Sequence, residues 1–98
     1  MKKEIIKKIK KFLRNWFPEA YVVAVVGSFT KSLQYNDIDI FFLLKGKVED
    51  NSLYPSLYVS CEGVDKPLHI FPYACQGEEF LTNYNNCDGI ILRKRRIK

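Results

Sequence analysis

Two aspartates one residue apart, Asp37 and Asp39, open an apolar run that continues Ile40-Phe41-Phe42-Leu43-Leu44. Side chains at i and i+2 of a strand share a face, so both carboxylates point one way while Ile38 and Ile40 turn to the core. Two anions held side by side repel, and one takes up a proton unless a cation sits between them. A hard dication with oxygen ligands, magnesium above all, suits such a pair, because it combines a few carboxylates with phosphate oxygens. The phosphate side of that chemistry has its own candidate just upstream. Gly27-Ser28 closes the valine-rich run Val22-Val23-Ala24-Val25-Val26. Without a Cβ at Gly27, backbone N–H groups can approach a phosphate closely, and Ser28 adds a hydroxyl donor.

Either half alone is commonplace, since acids often begin strands and turns often contain Gly and Ser. Together, each beside its strand, they are far more specific. Val26-Gly27-Ser28, an eight-residue spacer and Asp37-Ile38-Asp39-Ile40 resemble the signature of the polymerase-β-like nucleotidyltransferase superfamily. The resemblance is closest to its smallest members, the minimal nucleotidyltransferases, and the motif covers about a fifth of the chain. It implies that Gly27 and Ser28 cradle the triphosphate of an NTP. It also implies that Asp37 and Asp39 hold two magnesium ions for in-line attack on the α-phosphate. AMP would pass from ATP to a hydroxyl of a protein or nucleic acid, and some such relatives act as antitoxins by adenylylating a helical partner. Lys31 falls where many relatives carry arginine, and Ser32 where many carry glycine.

The chain departs from the family at the third carboxylate, which relatives place on a later strand beside the first two. The matching segment, Lys66-Pro67-Leu68-His69-Ile70-Phe71-Pro72, contains no acid, and Pro67 stands where an aspartate is expected. His69 shares the face of position 67, while Glu62 and Asp65 lie on the preceding loop. These three are the candidates for the missing member. Loss of the family's third acid weakens one metal site and removes a general base, a role worth about 10²–10⁴-fold in rate. Two functions therefore stay open: a nucleotidyltransferase, or a catalytically degenerate module that keeps the pocket or the fold and binds nucleotide, nucleic acid or a partner protein.

The elements that must position these residues follow from periodicity. Over residues 2–16, Ile5, Ile6, Ile9, Phe12, Leu13 and Trp16 recur at three- and four-residue spacing with lysines between them, which predicts an amphipathic helix ended by Pro18. Strands are expected over 20–26, 37–44, 57–61, 68–71 and 89–92, with one helical turn over 29–33 and a helix over 76–84. Residues 46–54 read as a polar loop. The expected fold is a nucleotidyltransferase-like α/β (α+β) domain over residues 1–92, a small mixed sheet with helices largely on one face. A basic tail, residues 93–98, follows.

Composition narrows the partners. Apolar residues make up 47% of the 98, enough for one modest core and too many for a disordered chain. The net charge of +5 is concentrated at the two ends, which suits nucleotides, nucleic acid or acidic protein surfaces. The tail Arg93-Lys94-Arg95-Arg96-Ile97-Lys98 is the expected additional contact. So small a chain leaves no second domain to hold an acceptor, so a homo-oligomer or a hetero-complex is expected. Cys61, Cys75 and Cys87 form no Cys-x-x-Cys pair, which argues against structural zinc. With no signal-peptide pattern they point to a reduced, cytoplasmic setting. No apolar run reaches transmembrane length, so no membrane partner is expected.

Overall fold

β-branched residues favour a pleated, buried surface, and Val22–Val26 forms β1, with every residue but Val26 buried. The computed structural model describes residues 2–46 and 56–97. From residue 47 onward, the expected polar loop lies outside them. Four further strands follow: β2 at Ile38–Lys45, β3 at Leu57–Val59, β4 at Leu68–Cys75 and β5 at Ile90–Lys94. Their order across the single sheet is β3-β4-β2-β1-β5. β1 is antiparallel to both β2 and β5, β3 is antiparallel to β4, and β2 runs parallel to β4. The sheet is mixed, as the sequence predicts, and its central strand is the one that Asp37 and Asp39 introduce.

β4 is longer than expected because it continues through Pro72, which pairs with Phe42. Proline lacks the N–H that a two-sided ladder requires. Among the described residues β3 pairs with Leu68 to Ile70 and does not reach position 72, where β4 has a described neighbour in β2 alone.

The amphipathic segment divides into α1, Lys2–Phe12, and a 3-10 turn, Leu13–Asn15. Its apolar stripe packs Ile9 and Leu13 against Val23, Val25, Ile38, Ile40 and Phe42, which are alternate residues of the two central strands. The 3-10 turn Gly27–Thr30 adds Phe29 to the same layer. The second helix, α2 at Gly77–Asn85, packs on the opposite face instead. Phe80 joins Val22, Ala24, Leu43 and Cys75 there. The mixed α+β class is as expected, but the helices divide between the two faces. A helical stripe says that a face is buried, not on which side of a sheet.

α2 covers only part of its face. Along β2, residues Phe42, Leu43 and Leu44 are buried in succession, whereas Ile38 to Phe41 alternate between buried and half-buried. The N-terminal half of β2 therefore has one open side, and Asp39 lies on it. Cys61, Cys75 and Cys87 are free thiols, the first two buried. Among the described residues no helix is long and apolar enough to cross a membrane.

The basic segment expected as a tail begins inside the sheet, because Arg93 and Lys94 belong to β5. The Arg93 guanidinium donates to the carbonyls of Phe17 at 2.7 Å, Leu13 at 3.0 Å, and Arg14 and Trp16 at 3.2 Å. It adds a charged donor to carbonyls at the end of the first helical segment, where Leu13 O also accepts from Trp16 N at 3.1 Å and Phe17 O from Ala20 N at 2.9 Å. Arg95 continues the strap, donating from its backbone to Tyr21 O at 2.7 Å and from its guanidinium to Glu19 O at 3.0 Å. Ile97 packs against the α2 layer.

Candidate metal and phosphate corner

Three strand ends build the corner. Val26, the last residue of β1, pairs with Asp39, so Gly27 emerges beside that carboxylate. Asp37 immediately precedes β2. In the parallel ladder Asp39 pairs with His69, which places the imidazole on the open face. His69 Nδ1 lies 3.7 Å from Asp39 Oδ1 and 4.0 Å from Asp37 Oδ2. One donor atom from each of the three residues fits within a cluster whose members are all within 4.8 Å of one another. Two donors on opposite sides of a single magnesium ion are separated by about 4.2 Å, so small side-chain adjustments bring the set onto one ion. The side chains are 30%, 28% and 16% exposed for Asp37, Asp39 and His69, sheltered yet reachable from solvent.

The electrostatics follow from that placement. Burial pushes the Asp39 carboxyl above its ordinary value, and the charge of Asp37 and a hydrogen bond with it act in the same direction, while His69 opposes them. A carboxylate pair in this state gains from any cation brought between its members.

The strand slot beside Asp39 is thus filled by His69, not by position 67. Pro67 lies ahead of the strand, and its carbonyl accepts from Ile38 N at 3.0 Å. The other two candidates do not join the cluster. Glu62 is exposed on the loop after β3, beside Lys8, Lys11 and Phe12 of α1. Asp65 is exposed on the same loop. Ser28 is exposed at the corner, and its carbonyl accepts from the backbone N–H groups of Lys31 at 3.0 Å and Ser32 at 2.8 Å. Lys31 ends the turn with its side chain in solvent. The helical turn expected over 29–33 therefore starts earlier, at Gly27 itself.

Gly27 has φ +78, and a Cβ there would lie 2.5 Å from Asp39 Oδ2. The glycine is required twice, by backbone conformation and by the carboxylate against it. Gly27→Ala is expected to lower stability by about 1–2 kcal/mol through left-handed strain and to turn the Asp39 side chain away, weakening metal affinity. Gly63→Ala is the control, since φ there is +82 but the new Cβ meets only the Lys8 side chain. Calorimetric titration of both variants with a divalent cation separates the two effects. Unchanged affinity in Gly27→Ala means that Gly27 does not shape the corner.

Two contributors escape sequence reading. The His69 ring packs against Tyr58 and Phe71, with ring centroids 4.0 Å away in each case, the Tyr58 ring tilted by only 14° and the Phe71 ring by 46°. Tyr58 and Phe71 are themselves exposed, 62% and 37%, so the pair opens an aromatic surface beside the acids. Phe71 follows from its i+2 spacing to His69, but Tyr58 arrives only through the β3–β4 register, where it pairs with His69. Lys2 is the other contributor. From the start of α1 its ammonium donates to Phe29 O, and to Ser32 O at 2.7 Å. It also lies 4.9 Å from the Phe29 ring centroid. In the sequence it is one of many lysines.

Two carboxylates, one imidazole and a glycine-serine turn at one sheet end can bind a dication and, beside it, a phosphate group. Compared with protein-family models, with curated proteins and with solved structures, the chain matches none.

Proposed function

We propose that this protein is a metal-dependent nucleotidyltransferase of the polymerase-β-like kind, moving a nucleoside monophosphate, AMP from ATP in the first instance, to a hydroxyl of a protein or nucleic acid. The observation that carries the reading is the convergence of Asp37, Asp39 and His69 beside the Gly27-Ser28 turn. No folding requirement asks for two adjacent acids and an imidazole on the open side of a central strand. Asp37 and Asp39 hold the dication, magnesium in the family's pattern. Gly27 and Ser28 take the phosphate oxygens through backbone N–H groups and a hydroxyl, and Lys31 adds positive charge nearby. The bound dication supplies neutralisation of charge on the phosphates as they react.

In the transfer, the acceptor oxygen forms a bond to the α-phosphorus while the bond from that phosphorus to the bridging oxygen breaks. Pyrophosphate leaves, and the hydroxyl proton passes to water or to a corner carboxylate. The acceptor comes from a second chain, because the open face carries the exposed rings of Tyr58 and Phe71, and no element among the described residues covers them. A second copy or a separate protein, modified in the manner of an antitoxin's target, meets that need.

The binding-module reading has its own support. Among the described residues the corner holds two carboxylates and no third. Incubation with α-labelled ATP, divalent cation and candidate acceptors distinguishes the two. Transfer of label that disappears in Asp39→Asn supports the enzyme. Metal-dependent ATP binding without transfer to any acceptor supports the module.

A further inference from the structure

We propose that the corner selects a first-row transition dication over magnesium, with His69 as its nitrogen ligand. The inference rests on reading Asp37, Asp39 and His69 as a metal site and goes on to say which ion that site prefers. Magnesium takes oxygen ligands in a near-ideal octahedron and gives up its waters reluctantly. Imidazole suits the later first-row ions, whose affinity for mixed nitrogen and oxygen donors rises along the series from manganese towards copper. The cluster offers two carboxylates and one imidazole. Neither Glu62 nor Asp65 supplies the oxygen that would complete an all-carboxylate set.

The geometry presents His69 as a ligand and not only as a neighbour. Its Nδ1 edge faces both acids, at 3.7 and 4.0 Å. The ring packs against both Tyr58, stacked at 14°, and Phe71, tilted at 46°, each centroid 4.0 Å away. Aromatic packing therefore does what an outer hydrogen bond does for most metal-bound histidines, orienting the ring before the ion arrives. The imidazole is also the most sheltered of the three donors, at 16% exposure.

Cobalt(II) is the probe, because its visible absorption reports coordination and its paramagnetism shifts the protons of a bound ring. The sequence contains one histidine, so a shifted imidazole resonance has a single source. The full-length chain is titrated with Co²⁺ and with Mg²⁺ by calorimetry, alongside His69→Asp, His69→Asn and Asp39→Asn. The neutral His69→Asn keeps the test valid if a third carboxylate in His69→Asp prevents folding. Co²⁺ is expected to bind the wild type more tightly than Mg²⁺. Each His69 variant should lower the Co²⁺-to-Mg²⁺ affinity ratio by about 10- to 100-fold, the effect typical of disturbing a ligand's surroundings, and should erase the shifted ring resonance. Asp39→Asn should weaken both ions. An unchanged ratio in the His69 variants, with Asp39→Asn still weakening both ions, overturns the nitrogen-ligand assignment and leaves the metal site standing. Absence of any dication binding to the folded wild type, or no effect of Asp39→Asn, overturns both.

Discussion

Asp39→Asn should abolish the chemistry while leaving the fold intact, and in metal-free buffer it should make the protein more stable. Transfer is expected to fall by about 10²–10³-fold, the scale for removing one preorganised electrostatic contributor. The stability effect has a definite sign. The folded-state Asp39 carboxyl is raised above its ordinary value of 3.8, by burial first and by Asp37 second. Between those two values the folded protein binds the proton that the unfolded chain has released, so stability falls as pH rises through that window and stays lower above it. The amide of Asp39→Asn carries no such proton, and the variant's thermal midpoint should exceed that of the wild type at neutral pH in EDTA. The advantage should vanish below the ordinary carboxylate value. Adding a dication should reverse the order, since only the wild type gains from it. Melting curves across pH, with EDTA and with metal, provide the check. A variant less stable than the wild type in EDTA at neutral pH would mean that Asp39 is held by the fold and not strained by it.

The second large effect lies far from the corner. Arg93→Ala should lower stability by about 2–3 kcal/mol, because it removes a charged donor shared by several carbonyls, and a hydrogen bond to a charged group has a net worth of about 1.5–3 kcal/mol. For a domain of this size that is a loss of about 10–20 °C in thermal midpoint. Four carbonyls at the end of the first helical segment accept from the one guanidinium, and two of them, Leu13 O and Phe17 O, accept from backbone N–H groups as well. Arg93→Lys should recover only part of the loss, because a point ammonium cannot reproduce the planar fork. Arg96→Ala, at an exposed neighbour, should change stability by no more than about 0.5 kcal/mol. Equal melting of Arg93→Ala and the wild type would reduce the strap to a surface contact. The same geometry implies that truncation at residue 93 removes part of β5 and is no test of a tail, whereas truncation after Lys94 removes the Arg95 contacts and Ile97.

How much of this was legible in the sequence depends on the range over which each signal acts. The strand that ends at Gly27 and the strand that holds Asp39 could be read because alternation and valine content act within a few residues. The pairing of Val26 with Asp39 follows once two adjacent strands are joined by a short connection. His69 beside Asp39 was not legible in the same way. Its place is set by a parallel register between strands separated by β3 and a long connection, and that register moved the critical position from Pro67 to His69. Tyr58 depends on a further register, between β3 and β4. Arg93 was hidden by its company, since in a run of basic residues one half-buried guanidinium looks like its solvated neighbours. The helix carrying Phe80 announced an apolar face but not the side of the sheet that it would cover.

The central claim is that Asp37 and Asp39 make nucleotide binding depend on a metal ion, and calorimetric titration of ATP into the full-length chain tests it most directly. Titrations with magnesium, with cobalt and with EDTA should show saturable ATP binding only where a dication is present. That binding should be lost in both Asp37→Asn and Asp39→Asn while each variant still melts cooperatively. ATP binding that is equally strong in EDTA, or that survives unchanged in both variants, would contradict the account.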